Sequence, residues 1–217
     1  MASRYKHEFL AGECYHIYNQ CVSHVNYFEQ TNNSQHFLDK FQEYFINCFN
    51  IYAYCLMPNH FHMIVNVKKE DEVLESLKNK SDSKAIESFK KGEIPLDEYI
   101  LDQLKRFISS ITMSYKRNND HRGPLFVERT KHVLLDGESK LMEKVCYVHH
   151  NPIHHSFSTN YRDWDFSSFS DYLTEGTLDS DKEHFLEYIG DGDIILGRNI
   201  FEKMHIEFKN IQNERDL

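Results

Sequence analysis

Residues 55–65 have the sequence Cys-Leu-Met-Pro-Asn-His-Phe-His-Met-Ile-Val, with a His-x-His pair near the centre. The segment from His60 to Val67 is predicted to be a β-strand, in which successive side chains alternate between the two faces. His60 and His62 therefore point to one side, and Phe61 points to the other. Two imidazoles placed in this way can bind one metal ion.

Metal binding is one of two interpretations of this pair. The other is that His60 and His62 are half-buried rings with satisfied hydrogen bonds, which is the commoner case for an arbitrary His-x-His. The pair here follows Pro58 and Asn59 and lies between apolar runs. This context favours a functional site, because sites are commonly placed where a buried strand meets a turn.

The composition indicates a folded, globular chain. Of the 217 residues, 40% are hydrophobic and 14% are aromatic, which argues against disorder. No run approaches the roughly 20 apolar residues of a membrane span, and the polar N-terminus has no apolar signal core. The five cysteines are dispersed, without a Cys-x-x-Cys pair. They predict reduced, buried thiols in a cytoplasmic protein.

The negative charge is unevenly distributed along the chain. The net charge is −9, and residues 173–217 carry 11 acidic and 5 basic side chains. We expect this part to be an acidic helical extension of a main domain at residues 1–172. Because binding depends on the local field, the net charge does not exclude a nucleic-acid partner.

The order of the predicted elements indicates the fold class. Strands are expected at residues 14–21, 49–56, 60–67 and 129–135, and helices at residues 35–47 and 96–119 and from residue 139. Residues 68–98 are predicted to be a helical insertion. It leads directly into the helix predicted at residues 96–119. The order corresponds to a ferredoxin-like α+β sandwich, βαββαβ, with an antiparallel sheet. We expect the histidines near the sheet centre, on the face covered by helix 96–119.

Tyr115 is the tyrosine singled out as a candidate nucleophile. It lies close to the C-terminal end of helix 96–119 and amid positive charge, although an arbitrary member of the thirteen tyrosines is usually structural. The densest basic region of the chain surrounds it. That region is either a solvated helix end or a phosphate-binding edge. Its members are Lys105, Arg106, Lys116, Arg117 and Arg122.

Several segments resemble one known family. Residues 57–65, MPNHFHMIV, closely resemble the MPNHxHLLV signature of single-tyrosine transposases of the HUH class, and in particular the REP-associated tyrosine transposases. Further similar blocks are YHIYNQ at 15–20, RGPLF at 122–126, YVHHNPI at 147–153 and WDFSS at 164–168. The resemblance extends from about residue 14 to residue 172 and leaves out residues 173–217.

The resemblance implies a metal-dependent single-stranded DNA endonuclease and transposase that cleaves and rejoins hairpin-associated DNA. In this family the nucleophile would be Tyr115, forming a covalent 5′-phosphotyrosine. His60 and His62 would hold Mg²⁺ or Mn²⁺ with Asn119, or alternatively Asn118, as a third ligand. The basic region would bind single-stranded or hairpin DNA. No membrane partner is expected, and both a monomer and a homodimer remain open.

Two other function classes remain possible on the sequence. One is a metal-dependent hydrolase that forms no covalent intermediate, and the other is a non-catalytic nucleic-acid-binding module. The acidic balance of the chain is the best sequence argument for the binding module. Four histidines, at positions 149, 150, 154 and 155, also invite a metal-site interpretation, but Asn151 and Pro152 between them favour a helix end. His16 could face the site, although a packing role is commoner for a strand histidine.

Overall fold

The computed structural model describes residues 8–81, 83–173 and 178–215. Its sheet consists of β1 (Cys14–Gln20), β2 (Phe49–Met57), β3 (His60–Val67) and β4 (Lys131–Leu134). The strand order is β2-β3-β1-β4, and every neighbouring pair is antiparallel. Strand β3 is therefore internal, as predicted.

Seven α-helices accompany the sheet in the described part of the chain. They are α1 (Thr31–Phe45), α2 (Glu70–Leu77), α3 (Lys84–Lys90), α4 (Leu96–Asn118), α5 (Glu138–His154), α6 (Ser180–Ile189) and α7 (Ile194–Arg215). Helices α2 and α3 occupy the predicted insertion. Without them the order is β1-α1-β2-β3-α4-β4, which confirms the ferredoxin-like α+β fold.

One face of the sheet packs on α1 and α4. Phe61 and Met63 of β3 are fully buried in this layer. The ring centroid of Phe37 on α1 lies 4.7 Å from that of Phe61 and 5.0 Å from that of Phe107 on α4. Aromatic rings at tilted and edge-on angles fill the space between sheet and helices.

The other face packs on α5, α6 and α7. Ile64 of β3 is buried here together with Val145 of α5, Phe185 of α6 and Phe201 of α7. The C-terminal helices therefore contribute to a core that the sheet shares. The division of the chain at residue 172 stays a prediction.

The expectation that α4 covers the face of His60 and His62 is wrong. Phe61 and Met63 face α1 and α4, so the alternating histidines face the opposite side, where α5 lies. The handedness of the chain sets which helices share that apolar face. Strands β1 and β2 are parallel to each other, as are β3 and β4. Right-handed crossovers then place α1 and α4 on the same face.

The outer edge of β2 is covered by the chain itself. Residues 166–168 run antiparallel to it and share backbone hydrogen bonds with it. Asp181 accepts the backbone N–H of Ile51 at 2.9 Å, and Lys182 donates to the carbonyl of Ile51 at 3.1 Å. These contacts satisfy backbone groups that an open edge would offer to another strand.

The cysteines agree with the prediction, since each of the five is a free, buried thiol. No helix within the described ranges has the length and apolar character that crossing a bilayer requires.

We expect Phe107→Ala to lower the free energy of unfolding by about 3–5 kcal/mol, because it leaves a cavity between α1, α4 and the sheet. Urea denaturation measures this. Phe157→Ala is the matched control, since Phe157 is 54% exposed and its truncation should cost far less. Equal losses in the two variants would contradict the assignment of Phe107 to the core.

Candidate active site

Three imidazoles form a cluster on the sheet face that α5 covers. His62 lies on the central strand β3, and His16 lies on the adjacent strand β1. Nε2 of His16 is 2.8 Å from Nδ1 of His62, so the two rings share one hydrogen bond. Nδ1 of His60 is 2.8 Å from Oδ1 of Asn59. In both members of the His-x-His pair, Nδ1 is therefore engaged within the protein.

Burial determines the protonation of these rings. It lowers the pKa of His62 well below its usual range, and the nearby His16, His60, His155 and Lys144 lower it further. Burial, with a smaller contribution from Lys144, lowers the pKa of His16 to about 3. Both rings are neutral near pH 7, which is the state in which imidazole binds a metal ion.

Helix α5 brings a tyrosine to this cluster. The ring centroid of Tyr147 is 5.9 Å from that of His62 and 6.5 Å from that of His16. Nζ of Lys144, one helical turn earlier, is 4.7 Å from the centre of the Tyr147 ring. The ring of His155 is 4.9 Å from that of His60. A phenol, an ammonium group and neutral imidazoles therefore lie together.

Asn151 lies one helical turn after Tyr147 and brings a side-chain amide to the histidine cluster. Its Nδ2 donates to the carbonyl of Tyr147 at 3.3 Å, whereas its Oδ1 is buried without a partner among the described residues. Burial lowers the pKa of His60, the neighbouring His155 lowers it further, and the Asn151 side chain next to the ring opposes both effects. A buried acceptor without a partner requires an explanation, and here it lies beside a histidine.

The donors present fit a divalent ion. No group of three or more His, Cys, Asp or Glu side chains within the described ranges is arranged to hold a metal. Two imidazole nitrogens, from His60 and His62, together with the unpartnered Oδ1 of Asn151 form a different donor set. Mixed nitrogen and oxygen donors suit Mn²⁺, and the amide oxygen also suits Mg²⁺.

A chain of buried hydrogen bonds holds α5 in place. Nδ1 of His149 is 2.8 Å from Nε2 of His205 on α7, and Nε2 of His149 is 2.9 Å from Oγ of Ser168. Nδ1 of His205 lies 2.8 Å from the carbonyl oxygen of Phe201. His149 therefore has a structural role, and it fixes the rotation of the helix that presents Tyr147.

The structure does not bring Tyr115 to the histidine pair. Its ring contacts Tyr27 at 5.5 Å and His121 at 5.4 Å, and it packs with the layer of α1 and α4. Asn119 donates its amide to the carbonyl of Tyr115 at 3.0 Å, at the end of α4. The predicted nucleophile and the predicted third ligand are thus grouped together, but on the opposite side of the sheet from His62.

The predicted basic region is divided between two places. Lys105, Arg106 and Arg117 line an open groove between α1 and α4. Lys116 and Arg122 are exposed near the end of α4 and do not line it.

The sequence patterns assigned no special weight to Tyr147, Lys144 and Asn151, which the structure brings to the histidine cluster. They favoured a packing role for His16, which shares a hydrogen bond with His62. A signal was present, because residues 144, 147 and 151 are spaced to share one face of a helix. Tyr147 and Asn151 also begin and nearly end the YVHHNPI segment. The missing information was which helix covers the histidine face.

A comparison with solved structures supports this architecture. A structure described as a REP-associated tyrosine transposase bound to a REP hairpin superposes with a TM-score of 0.56 at 15% sequence identity. The match covers 83% of this chain and 90% of that chain. No family model and no curated protein matches the sequence. At this identity the structural likeness establishes the fold.

We expect acid to loosen the support of α5 through His205. Burial lowers the pKa of His205 to about 4, opposed by its hydrogen bond to Phe201 and assisted by Arg162. The unfolded chain therefore takes up a proton near pH 6.5 that the folded chain refuses, and stability falls as the pH drops from about 6.5 to 4.

The His205→Gln variant keeps an amide that can bond to His149 but cannot titrate. The slope of its free energy of unfolding against pH should be smaller than that of the wild type by up to about 1.4 kcal/mol per pH unit. Urea titrations between pH 4 and 7 measure both slopes. Equal slopes would mean that His205 is not held neutral.

Proposed function

We propose that the protein is a metal-dependent single-stranded DNA endonuclease and transposase that cleaves and rejoins hairpin-associated DNA, with Tyr147 as nucleophile. One observation carries the proposal. Helix α5 places Tyr147 against the His62 ring, on the same face as His60 and beside an unpartnered amide oxygen. Tyr115, on the other side of the sheet, is given a structural role.

In the cleavage step the Oη atom of Tyr147 attacks a backbone phosphorus. The new O–P bond forms as the bond from phosphorus to the 3′ oxygen breaks. The phenol proton passes to solvent or to a nearby base, and the departing 3′ oxygen gains a proton. The products are a 5′-phosphotyrosine and a free 3′-hydroxyl. Because the bond energy is conserved, a second 3′-hydroxyl can reverse the step and join two strands.

His60, His62 and Asn151 would hold a divalent ion, Mg²⁺ or Mn²⁺. When bound, such an ion polarises the phosphate and offsets the charge that develops on it. For this role His62 and His60 must offer Nε2, because each Nδ1 already faces a protein atom. The tautomer of His62 that binds a metal carries its proton on Nδ1 and donates to His16.

Lys144 and His16 have supporting roles. The ammonium group of Lys144 lies beside the Tyr147 ring and can pair with the phosphate under attack. His16 fixes the orientation and the tautomer of His62 from the adjacent strand. Such partners of metal-binding histidines typically influence metal affinity 10- to 100-fold.

The structural neighbour adds support at the level of the fold. That protein is described as a tyrosine transposase bound to a hairpin. This chain shares the architecture of that protein, and in this chain a tyrosine lies at a cluster of histidines. A hydrolase without a covalent intermediate would use the histidines but would not need Tyr147. A non-catalytic binding module would need neither.

Covalent trapping separates the two tyrosines. Labelled single-stranded DNA that carries a hairpin is incubated with Mn²⁺ and run on a denaturing gel. We expect a protein–DNA adduct with the wild type and with Tyr115→Phe, and a loss of at least about 1,000-fold with Tyr147→Phe, because a nucleophile cannot be replaced.

The outcomes point in different directions. An adduct that disappears with Tyr115→Phe and persists with Tyr147→Phe would refute the assignment of the nucleophile. Cleavage without any adduct would indicate a hydrolase. Binding without cleavage, across a varied pool of hairpins, would favour the non-catalytic module.

Metal binding tests the ligand set independently of activity. Titration of Mn²⁺ followed by electron paramagnetic resonance should show strongly reduced affinity in His60→Ala and Asn151→Ala. His16→Gln should weaken binding about 10- to 100-fold while leaving the ligands themselves in place. The matched control is Asn119→Ala, which removes an amide on the other side of the sheet.

Normal Mn²⁺ affinity in Asn151→Ala together with weak binding in Asn119→Ala would contradict this ligand set. It would support the ligand that the family resemblance predicts from the sequence. Thermal unfolding of each variant verifies that the fold is intact.

A further inference from the structure

We propose that the groove between α1 and α4 is a second DNA-binding site, which holds the phosphate backbone of the hairpin stem. This inference rests on the proposed function and assigns a different surface to a different part of the substrate. The groove has a volume of about 780 Å³ and is open to solvent along its length. Its basic and imidazole side chains are His36, Lys40, Lys105, Arg106 and Arg117.

Two of the four cations that line the groove make ion pairs within the described part of the chain, and two do not. Arg106 lies 3.5 Å from Asp102, and Lys40 lies 2.6 Å from the exposed Glu43. Lys105 and Arg117 make no ion pair within the described ranges. In a chain with a net charge of −9, this is a local concentration of cations on one surface. Such a concentration is the electrostatic footprint expected of a nucleic-acid site.

The spacing of the cations fits a nucleic-acid backbone. Lys105 and Arg117 are twelve residues apart on α4, which corresponds to about 18 Å along the helix. One strand of a duplex carries a phosphate about every 3.4 Å of axis. The two cations therefore bracket roughly five phosphates of one strand.

The floor of the groove is suited to phosphate contacts and poorly suited to bases. Ser109, Ser110 and Ser114 of α4 line it with small hydroxyl groups, which let a backbone approach closely and can donate hydrogen bonds. Tyr44 is the only Phe, Tyr or Trp among the lining residues, and its ring packs against that of Phe107 at 5.9 Å. Single strands are usually held by stacking on exposed rings. A duplex presents its phosphates outward, so the stem is the part that fits.

The position of the groove explains how a stem bound there could reach the active site. Tyr115, two residues before Arg117, contacts Tyr27 at 5.5 Å. The residue after Tyr27 donates its N–H to the carbonyl of Pro58 at 2.9 Å. Pro58 lies two residues before His60. The Arg117 end of the groove is therefore at the same end of the sheet as His60, and a single-stranded flank can pass around that end to the other face.

Binding measurements with substituted grooves test this proposal. Fluorescence anisotropy is recorded with a blunt DNA stem, with the same stem carrying a single-stranded flank, and with an unstructured strand, between about 50 and 200 mM salt. The double variant Lys105→Gln/Arg117→Gln should bind the blunt stem roughly 10- to 100-fold more weakly at about 100 mM salt. Its log–log salt slope should be shallower by about 1.8, as expected for two lost phosphate contacts.

Two further variants make the result specific. Lys78→Gln/Lys203→Gln removes the same charge from surfaces outside the groove, where both lysines are well exposed, and should bind almost as the wild type does. Ser110→Glu places a negative charge in the floor of the groove and should weaken stem binding at least as much as one lost cation. Circular dichroism melts verify that each variant is folded.

Equal affinities in the two double variants would overturn the proposal, whether both weaken or neither does. A loss confined to the unstructured strand would overturn the assignment to the stem. These results are distinct from a failure of the proposed function. Stem binding does not require the nucleophile, so Tyr147→Phe should bind the blunt stem with the affinity of the wild type. If the wild type formed no adduct, the stem measurements would still decide the groove.

Discussion

The strict alternation of side chains along β3 is the constraint on which the site depends. The strand is internal, with β1 on one edge and β2 on the other, and a layer of helices covers each of its faces. Phe61 and Met63 fill the layer under α1 and α4, and His60 and His62 must then face α5. A shift of register by one residue would exchange the two sets. The burial of the apolar set therefore also holds the imidazoles on the side where Tyr147 lies.

The sheet face that carries the histidines is also the face on which the C-terminal helices pack. Helix α5 would present Tyr147 and Asn151 loosely if only the sheet supported it. Instead His149 is bonded to His205 of α7 and to Ser168, whose segment pairs with the edge of β2. These buried imidazoles stay neutral and pair with each other, so their burial does not carry the cost of an unpaired charge. Helices α6 and α7 thus act as packing elements of the face that carries the histidines.

The sequence predicted most of the fold because the fold depends on local periodicity. The four strands, the helices on either side of β2 and β3, and the insertion all follow from apolar patterns with periods of 2 and 3.6. The position of the histidine pair on a central strand follows from the same patterns. The short hairpin at Pro58 then sets the register in which β2 pairs with β3.

The position of Tyr115 relative to the histidines did not follow from the sequence, because it depends on long-range geometry. Tyr115 lies in the most basic segment of the chain, and charge along the sequence favoured it. The handedness of the β1-α1-β2 and β3-α4-β4 crossovers places its helix behind the sheet. Tyr147 carries a weaker signal in the sequence, but its helix follows β4 and returns over the histidines. Lys144, three residues earlier, supplies near Tyr147 the positive charge that the sequence suggested for Tyr115.

The groove and the histidine cluster lie on opposite faces of the sheet. Lys105 and Arg117 line the groove on the side of α1 and α4, whereas His62 faces α5. Helix charge does not distinguish the two sides, since α4 and α7 each carry four basic and three acidic side chains. The field at the groove is therefore set by the side chains that line it and not by the charge of a whole helix layer. On this argument the net charge of −9 does not exclude a polyanion; it limits binding to the surface where Lys105 and Arg117 lie, and only a flexible single strand could continue from there around the sheet to His60.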